Sequence, residues 1–97
     1  MKVEHNGCKY RFGILPSQSI VFTEVSDQNG VLEMESVGVT EAQLLEAFIE
    51  RMKFINKRMV CRENSIVITK CEEALMWLGK RERDMAKRNA DSLEKNN

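Results

Sequence analysis

The residues best suited to chemistry lie between Arg51 and Arg62, where basic side chains surround one aromatic residue, Phe54. The stretch holds five cations and no acid: Arg51, Lys53, Lys57, Arg58 and Arg62. Guanidinium groups bind phosphates through paired hydrogen bonds, and an aromatic ring stacks on a nucleobase. The pattern therefore indicates a nucleotide site. The alternative is a solvated basic helix end, favoured by the helix dipole, with Phe54 in the core.

Two polar residues farther along the chain are candidates for the same site. Asn64 offers both a donor and an acceptor to a base edge, although a cap in the first turn of a helix is its ordinary role. Arg81 lies 17 residues later, which is about 25 Å along one helix. One chain cannot bring both side chains to a small ligand, whereas two antiparallel copies of the helix can.

The sequence shows no pattern typical of an enzyme, a metal site or a bound cofactor. His5 is the only histidine, it falls in a predicted hairpin turn, and no glycine-rich phosphate loop occurs. Cys8, Cys61 and Cys71 form no C-x-x-C pair, so reduced, buried thiols in a cytoplasmic compartment are expected. We therefore expect no catalysis, no metal and no cofactor.

Composition predicts one folded domain over residues 1–97. The chain is 42% hydrophobic and 31% charged with a formal net charge of zero, which argues against a general nucleic-acid binder driven by phosphate neutralisation. Any site for a polyanion must therefore be local. The N-terminus is polar and no apolar run approaches the roughly 20 residues of a membrane span, so we expect neither secretion nor membrane insertion.

Residues 1–38 carry the signals of antiparallel β-hairpins. Two Asn-Gly pairs, Asn6-Gly7 and Asn29-Gly30, separate alternating runs, and this dipeptide supplies the positive φ angles of a two-residue turn. We predict strands near residues 2–5, 8–13, 19–25 and 31–37, forming a sheet of three or four strands.

From residue 40 the periodicity becomes helical. Thr40 and Gln43 form a capping box at the start of a first helix, predicted over residues 40–57. The β-branched run "SIVIT" favours a strand by propensity, but the helical segment "CEEALMWL" follows without room for a turn. We therefore predict a second helix over residues 62–89 and a frayed tail over residues 90–97. The fold class is α+β: N-terminal β-hairpins followed by two long antiparallel helices.

The second helix is apolar on more than one side between Ile66 and Leu78. A single neighbouring helix or sheet covers only one stripe, so the additional apolar surface predicts an interface between subunits. We therefore expect a homo-oligomer.

The strings "GVTEAQLLEAFIERMKF" and "VCRENSIVITKCEEALMWLGKRERD" resemble small phage and prophage proteins that sequester cyclic-nucleotide immune signals. Over residues 38–85 the chain is most similar to the first family of Thoeris anti-defence sponges. Its two-helix segment also resembles the phage sponges that act against cyclic-oligonucleotide (CBASS) signalling. The resemblance implies a pocket between two subunits lined by Phe54, Asn64 and Arg81. Arg58 and Arg62 are added from charge and position.

The resemblance further implies a function: binding glycocyclic ADP-ribose, made by a TIR-domain enzyme, and holding it without cleavage. Such a sponge would act in the cytoplasm of the host bacterium as a homodimer or hexamer. The alternatives are a sponge for cyclic di- or trinucleotides, a small nucleic-acid-binding regulator and a hydrolase of the signal. The zero net charge argues against a nucleic-acid-binding regulator. The sequence shows no set of residues for a metal site or a general base, which argues against a hydrolase.

Overall fold

A computed structural model describes residues 1–4, 7–28 and 30–95, and gives side-chain surroundings for all of these except residues 27–28, 31–32 and 92–95. Strands occupy the unit Met1–Gln43 and helices occupy the unit Leu44–Asn97. The α+β class, with antiparallel strands preceding two long helices, is confirmed. His5, expected in a turn, lies outside the described residues.

The first three strands form an antiparallel sheet in the order β1-β2-β3. They are β1 (Lys2–Glu4), β2 (Lys9–Arg11) and β3 (Ser19–Val21). Tyr10 is the register partner of Val3 on one side and of Ile20 on the other. Gly7, between β1 and β2, has φ 87°, the left-handed conformation that glycine adopts without steric strain.

A separate hairpin follows, formed by β4 (Glu24–Gln28) and β5 (Val31–Ser36) around Gly30, whose φ is 82°. The strand predicted over residues 19–25 is therefore divided into two. Backbone hydrogen bonds explain the division: Thr23 N donates to Val39 O at 2.9 Å, and Val39 N donates to Val21 O at 2.8 Å. The chain leaving β5 thus pairs with the segment that would otherwise have continued β3.

Cys8 is the buried thiol of the strand unit, and Tyr10 packs edge-on against Phe22 with ring centroids 5.7 Å apart. Burial, together with the charges of Glu24 and Glu35, raises the pKa of the Cys8 thiol and keeps it protonated. All three cysteines are free, but Cys61 and Cys71 are only half-buried.

The helices are α1 (Glu41–Arg58) and α2 (Arg62–Lys95). Both halves of the predicted capping box are present: Gln43 N donates to Thr40 Oγ1 at 3.1 Å, and Thr40 N donates to Gln43 Oε1 at 2.9 Å. "SIVIT" is helical, as predicted. The second helix does not end at residue 89, because the segment expected to be frayed continues as helix to Lys95.

The helices run antiparallel. Lys53 pairs with Glu72 across them at 3.9 Å, and Glu46 of α1 lines the same groove as Arg83 of α2. Ile49, 5% exposed, is the one buried residue of the helical unit among those described, whereas Met76 and Trp77 are 60% and 57% exposed. In the described part of the chain, no helix is long and apolar enough to cross a membrane.

Replacing Thr40 by alanine should destabilise the protein, because the Gln43 N–H loses its acceptor, Thr40 Oγ1, in the first turn of α1. The expected loss is about 1 kcal/mol, seen as a fall in melting temperature of about 4–8 °C for a chain of this size. Thr69→Ala, at an exposed position within α2, is the matched control and should cost little. Equal losses in the two variants would show that the capping box contributes nothing.

Candidate functional site

The basic stretch lies where α1 turns into α2, and two asparagine side chains hold this turn. Asn56 Oδ1 accepts a hydrogen bond from Cys61 N at 3.2 Å, and Asn64 Nδ2 donates to Met59 O at 3.3 Å. These bonds satisfy backbone groups that helix ends leave without intrahelical partners. The last turn of α1 and the first turn of α2 are thereby fixed next to each other.

Phe54 is 53% exposed, which excludes a fully buried position within the chain. The guanidinium carbons of Arg51 and Arg58 each lie 5.8 Å from the centroid of its ring. Both are within the range of a cation–π interaction, worth about 0.5–1 kcal/mol at an exposed site. Arg51, one turn before Phe54, was not among the predicted ligand residues. Arg51 lies three residues before Phe54, and Arg58 lies four residues after it. Both spacings place side chains next to each other on a helix surface, so this pattern is the sequence signal that identifies Arg51.

The basic side chains between Arg51 and Arg62 differ in whether they form ion pairs. Lys53 pairs with Glu50 and with Glu72, each at 3.9 Å. By contrast, four cations form no ion pair with any described residue: Arg51, Lys57, Arg58 and Arg62. We call these four cations and Phe54 the basic corner. It can bind an anion without first breaking an existing ion pair.

A shallow cavity of about 420 Å³ adjoins Phe54 and is also lined by Glu50, Lys53, Asn56, Lys57 and Ile68. A larger groove of about 640 Å³ runs between the helices, but its rim carries Glu46, Glu50 and Glu72. Carboxylates repel phosphate. The smaller cavity has one carboxylate, Glu50, against three in the larger groove, so it is the better match for a nucleotide despite its size. The larger groove contains none of the predicted site residues.

Asn64 is half-buried, and its amide nitrogen is already used in the turn. Its carbonyl oxygen Oδ1 has no hydrogen-bond partner among the described residues. One of the two amide N–H groups is used in the turn, so Oδ1 and the second N–H remain for the predicted contact to a base edge. Asn64 can therefore hold the turn and contact a ligand at the same time.

Arg62 is exposed in the first turn of α2 and lines a cavity of about 270 Å³ with Ile66 and Lys70. Arg81 is exposed on the same continuous helix, about 25 Å from Asn64 at 1.5 Å per residue. Within one chain Arg58 lies beside the Phe54 ring and Asn64 bonds within the turn. Arg62 lines a different cavity from Phe54, and Arg81 lies farther along α2. No group of three or more metal-ligating side chains occurs among the described residues.

The chain thus combines antiparallel strands with a helical hairpin that carries a cationic, aromatic corner. The family model "Acb2/Tad1, hairpin domain" matches residues 9–90. The chain belongs to this family, which confirms the resemblance found in the sequence.

A curated relative, Thoeris anti-defense 1 of Bacillus phage SBSphiJ7, is 40% identical over 62 residues. The matched segment covers 63% of this chain and 44% of the relative, so the chain spans less than half of the relative's length.

The exposure of Phe54 predicts that its removal destabilises the chain far less than removal of a core residue. Phe54→Ala should cost about 1 kcal/mol, the scale of lost cation–π contacts, whereas Ile49→Ala should cost about 2–5 kcal/mol. Urea unfolding of both variants at one protein concentration gives the two free energies of unfolding. Similar losses would place Phe54 in the core and remove it from the site.

Proposed function

We propose that this protein is an anti-defence sponge: it binds a cyclic nucleotide immune signal and holds it without cleaving it. The observation that carries the proposal is the exposed Phe54 ring between Arg51 and Arg58, two guanidinium groups without an ion-pair partner among the described residues. Membership of the Acb2/Tad1 family and the name of the Bacillus phage relative support it. The signal we propose is glycocyclic ADP-ribose from a TIR-domain enzyme, captured in the cytoplasm of a host bacterium.

The chemistry of the basic corner matches such a ligand. ADP-ribose derivatives carry a flat adenine and a pyrophosphate with two negative charges. Stacking of the base on Phe54 is worth about 1–3 kcal/mol, and each charge-assisted phosphate hydrogen bond about 1.5–3 kcal/mol. Arg58 and Arg62 are the cations proposed for the phosphates, and Asn64 Oδ1 would accept a hydrogen bond from a polar edge.

The same residues explain retention of the ligand. Arginine stays protonated throughout the physiological pH range, and neither a phenyl ring nor an amide transfers protons. The proposed contacts therefore bind charge and a flat base but supply neither a nucleophile nor a general base. Sequestration requires only that the ligand dissociates slowly.

A complete pocket needs a second subunit, because Arg81 is remote from the basic corner within one chain. The exposed apolar residues of α2 support a homodimer or a higher oligomer: Ile66 is 45%, Met76 60% and Trp77 57% exposed in the isolated chain. Apolar surface of this extent on one helix is typical of a protein interface.

A sponge for cyclic di- or trinucleotides is the second candidate, supported by the resemblance of the two-helix segment to the phage sponges that act against CBASS signalling. The same stacking and phosphate contacts would serve it. Mass spectrometry of the captured ligand distinguishes the two candidates.

The ligand-release experiment tests the mechanism. The protein is incubated with candidate cyclic nucleotides, separated from free ligand and heat-denatured, and the released molecule is identified by mass spectrometry. We expect intact ligand in a fixed ratio to binding sites. Linear or hydrolysed product accumulating over repeated turnovers would instead identify an enzyme, and no recovered nucleotide would reject the sponge.

Arg81→Ala tests the shared pocket. We expect the affinity for glycocyclic ADP-ribose to fall about tenfold or more, since a charge-assisted bond of about 1.5–3 kcal/mol is lost and about 1.4 kcal/mol corresponds to tenfold. Isothermal titration calorimetry gives the dissociation constant. Arg88→Ala, the same change two turns later on α2, is the control and should leave affinity unchanged. An Arg81→Ala variant that binds normally would show that Arg81 is outside the pocket.

A further inference from the structure

The groove between α1 and α2 is a second cavity whose chemistry differs from that of the basic corner. Its volume of about 640 Å³ is within the range of about 300–1,000 Å³ that small-molecule sites occupy. Its apolar residues are the buried Ile49, the half-buried Leu75 and the exposed Met76. Its charged residues are three acids and two bases: Glu46, Glu50, Glu72, Lys53 and Arg83. The groove therefore suits a ligand with an apolar part and a net positive charge.

Gly79 makes room for a guanidinium group in this groove. Nη1 of Arg83 lies 3.3 Å from the position that a Cβ atom on Gly79 would occupy. The end of the Arg83 side chain therefore lies over the glycine, next to the space that a side chain would otherwise fill. Glycine is among the least favourable residues within a helix, so its place in the middle of α2 requires a compensating role. Holding the Arg83 guanidinium group close to the helix is such a role.

Glu46 lies opposite Gly79 across the groove. Lys53 of α1 pairs with Glu72 of α2 at 3.9 Å, and Glu46 and Gly79 are each seven residues from this pair in the same direction along antiparallel helices. Neither Glu46 nor Arg83 forms an ion pair with any residue in the described part of the chain. The groove therefore presents an unpaired carboxylate and an unpaired guanidinium group at the same level.

We propose that this groove binds a free basic α-amino acid. Its α-ammonium group would pair with Glu46, and its α-carboxylate would accept the paired hydrogen bonds of the Arg83 guanidinium group. An α-amino acid carries these two opposite charges on one carbon, so a single head group satisfies both side chains. The proposal concerns a cavity outside the basic corner and does not depend on the cyclic nucleotide.

The acids farther along the groove match the cationic end of the amino-acid side chain. Glu50 lies one turn after Glu46, about 6 Å along the helix axis. Lysine has five bonds of about 1.5 Å between its Cα and its terminal nitrogen, so its extended side chain covers this distance. Glu50 and Glu72 each lie 3.9 Å from Lys53, so two carboxylates share one cation. The ammonium group of the ligand would be the second cation and would balance these charges.

The same charges discriminate against other small molecules. An apolar amino acid would leave Glu50 and Glu72 with Lys53 as their one cation. A diamine would place an ammonium group beside Arg83, where two cations repel each other. The methylene groups of a basic amino acid can lie along Ile49, Leu75 and Met76, which removes apolar surface from water. A basic amino acid is therefore the class of ligand that satisfies every charged position of the groove.

Titration calorimetry with three matched ligands tests the chemistry. L-lysine should bind saturably with a dissociation constant of about 1 mM or lower. L-norleucine lacks the terminal ammonium group and cadaverine lacks the α-carboxylate, so each should bind about fivefold more weakly than lysine. Absence of saturable lysine binding would overturn the proposal. Equal affinity for cadaverine would identify a diamine site and would also overturn it.

Two charge-removing variants place the head group. Glu46→Gln and Arg83→Gln should each weaken lysine binding about fivefold, and in Arg83→Gln lysine and cadaverine should bind equally, because the partner of the carboxylate is gone. Glu82→Gln and Arg88→Gln, at exposed positions of α2 outside the groove, are the controls and should bind lysine normally. An Arg83→Gln variant that still prefers lysine to cadaverine would overturn the assignment.

Sedimentation velocity of the same variants distinguishes an amino acid from another occupant. The sedimentation coefficient should be the same for the unmodified protein, Glu46→Gln and Arg83→Gln. A second copy of the chain seated in the groove would instead make both variants sediment differently and would block lysine. That result would overturn the proposal.

Gly79→Ala separates ligand binding from helix stability. Alanine is the better helix former, so the melting temperature should rise by about 4 °C. The added Cβ displaces the Arg83 guanidinium group from its place over residue 79, so lysine should bind several-fold more weakly. A variant that is more stable and binds lysine normally would overturn the role of Gly79. The ligand-release experiment measures cyclic-nucleotide capture separately, so failure of the amino-acid site and failure of the sponge function are distinguishable.

Discussion

The hydrogen bonds of Asn56 and Asn64 in the turn between the helices are the local constraint on which the site depends. With only residues 59–61 between α1 and α2, the direction of the chain reverses abruptly. The end of α1 and the start of α2 both carry arginines, so the turn concentrates positive charge at one corner. Such a concentration of like charges costs electrostatic energy, which a bound anion would reduce. The same turn therefore shapes the hairpin and determines where the charges of the candidate site lie.

The second consequence of the hairpin concerns α2. Lys53 of α1 lies opposite Glu72 of α2, so in the antiparallel hairpin the start of α1 lies opposite the region of Asp84. The second helix continues beyond this point to Lys95. One side of α2 faces α1, while Ile66 and Trp77 of the same helix are exposed. A hairpin with so few buried residues among those described has little core of its own, and small domains of this kind commonly gain stability from association.

Lys53 and Asn64 show how a residue's neighbours determine its role. Lys53 belongs to the same basic run as Arg58, but its two carboxylate neighbours largely compensate its charge. Asn64 has the amide chemistry of a ligand contact, yet its nitrogen closes the turn. In both cases the side chain is the type that a nucleotide site uses, and the local hydrogen bonds or ion pairs decide how much of it remains available.

The sequence by itself determined the elements and the location of the corner. Three local signals predicted the elements: the capping box at Thr40, the Asn-Gly turns and the helical periodicity of residues 40–89. Each depends on backbone preferences of residues that are neighbours in the sequence. Only the tertiary structure decided which cations are free, because the partners of Lys53 include Glu72 on the other helix. The division of the predicted strand at residues 19–25 depends likewise on pairing with Val39, a distant segment. The C-terminal end of α2 beyond residue 89 was missed because a charged sequence without an apolar stripe has no periodic signal. The exposure of Phe54 was undetermined for the same physical reason: burial depends on which surfaces meet in space, and spacing along one chain does not report it.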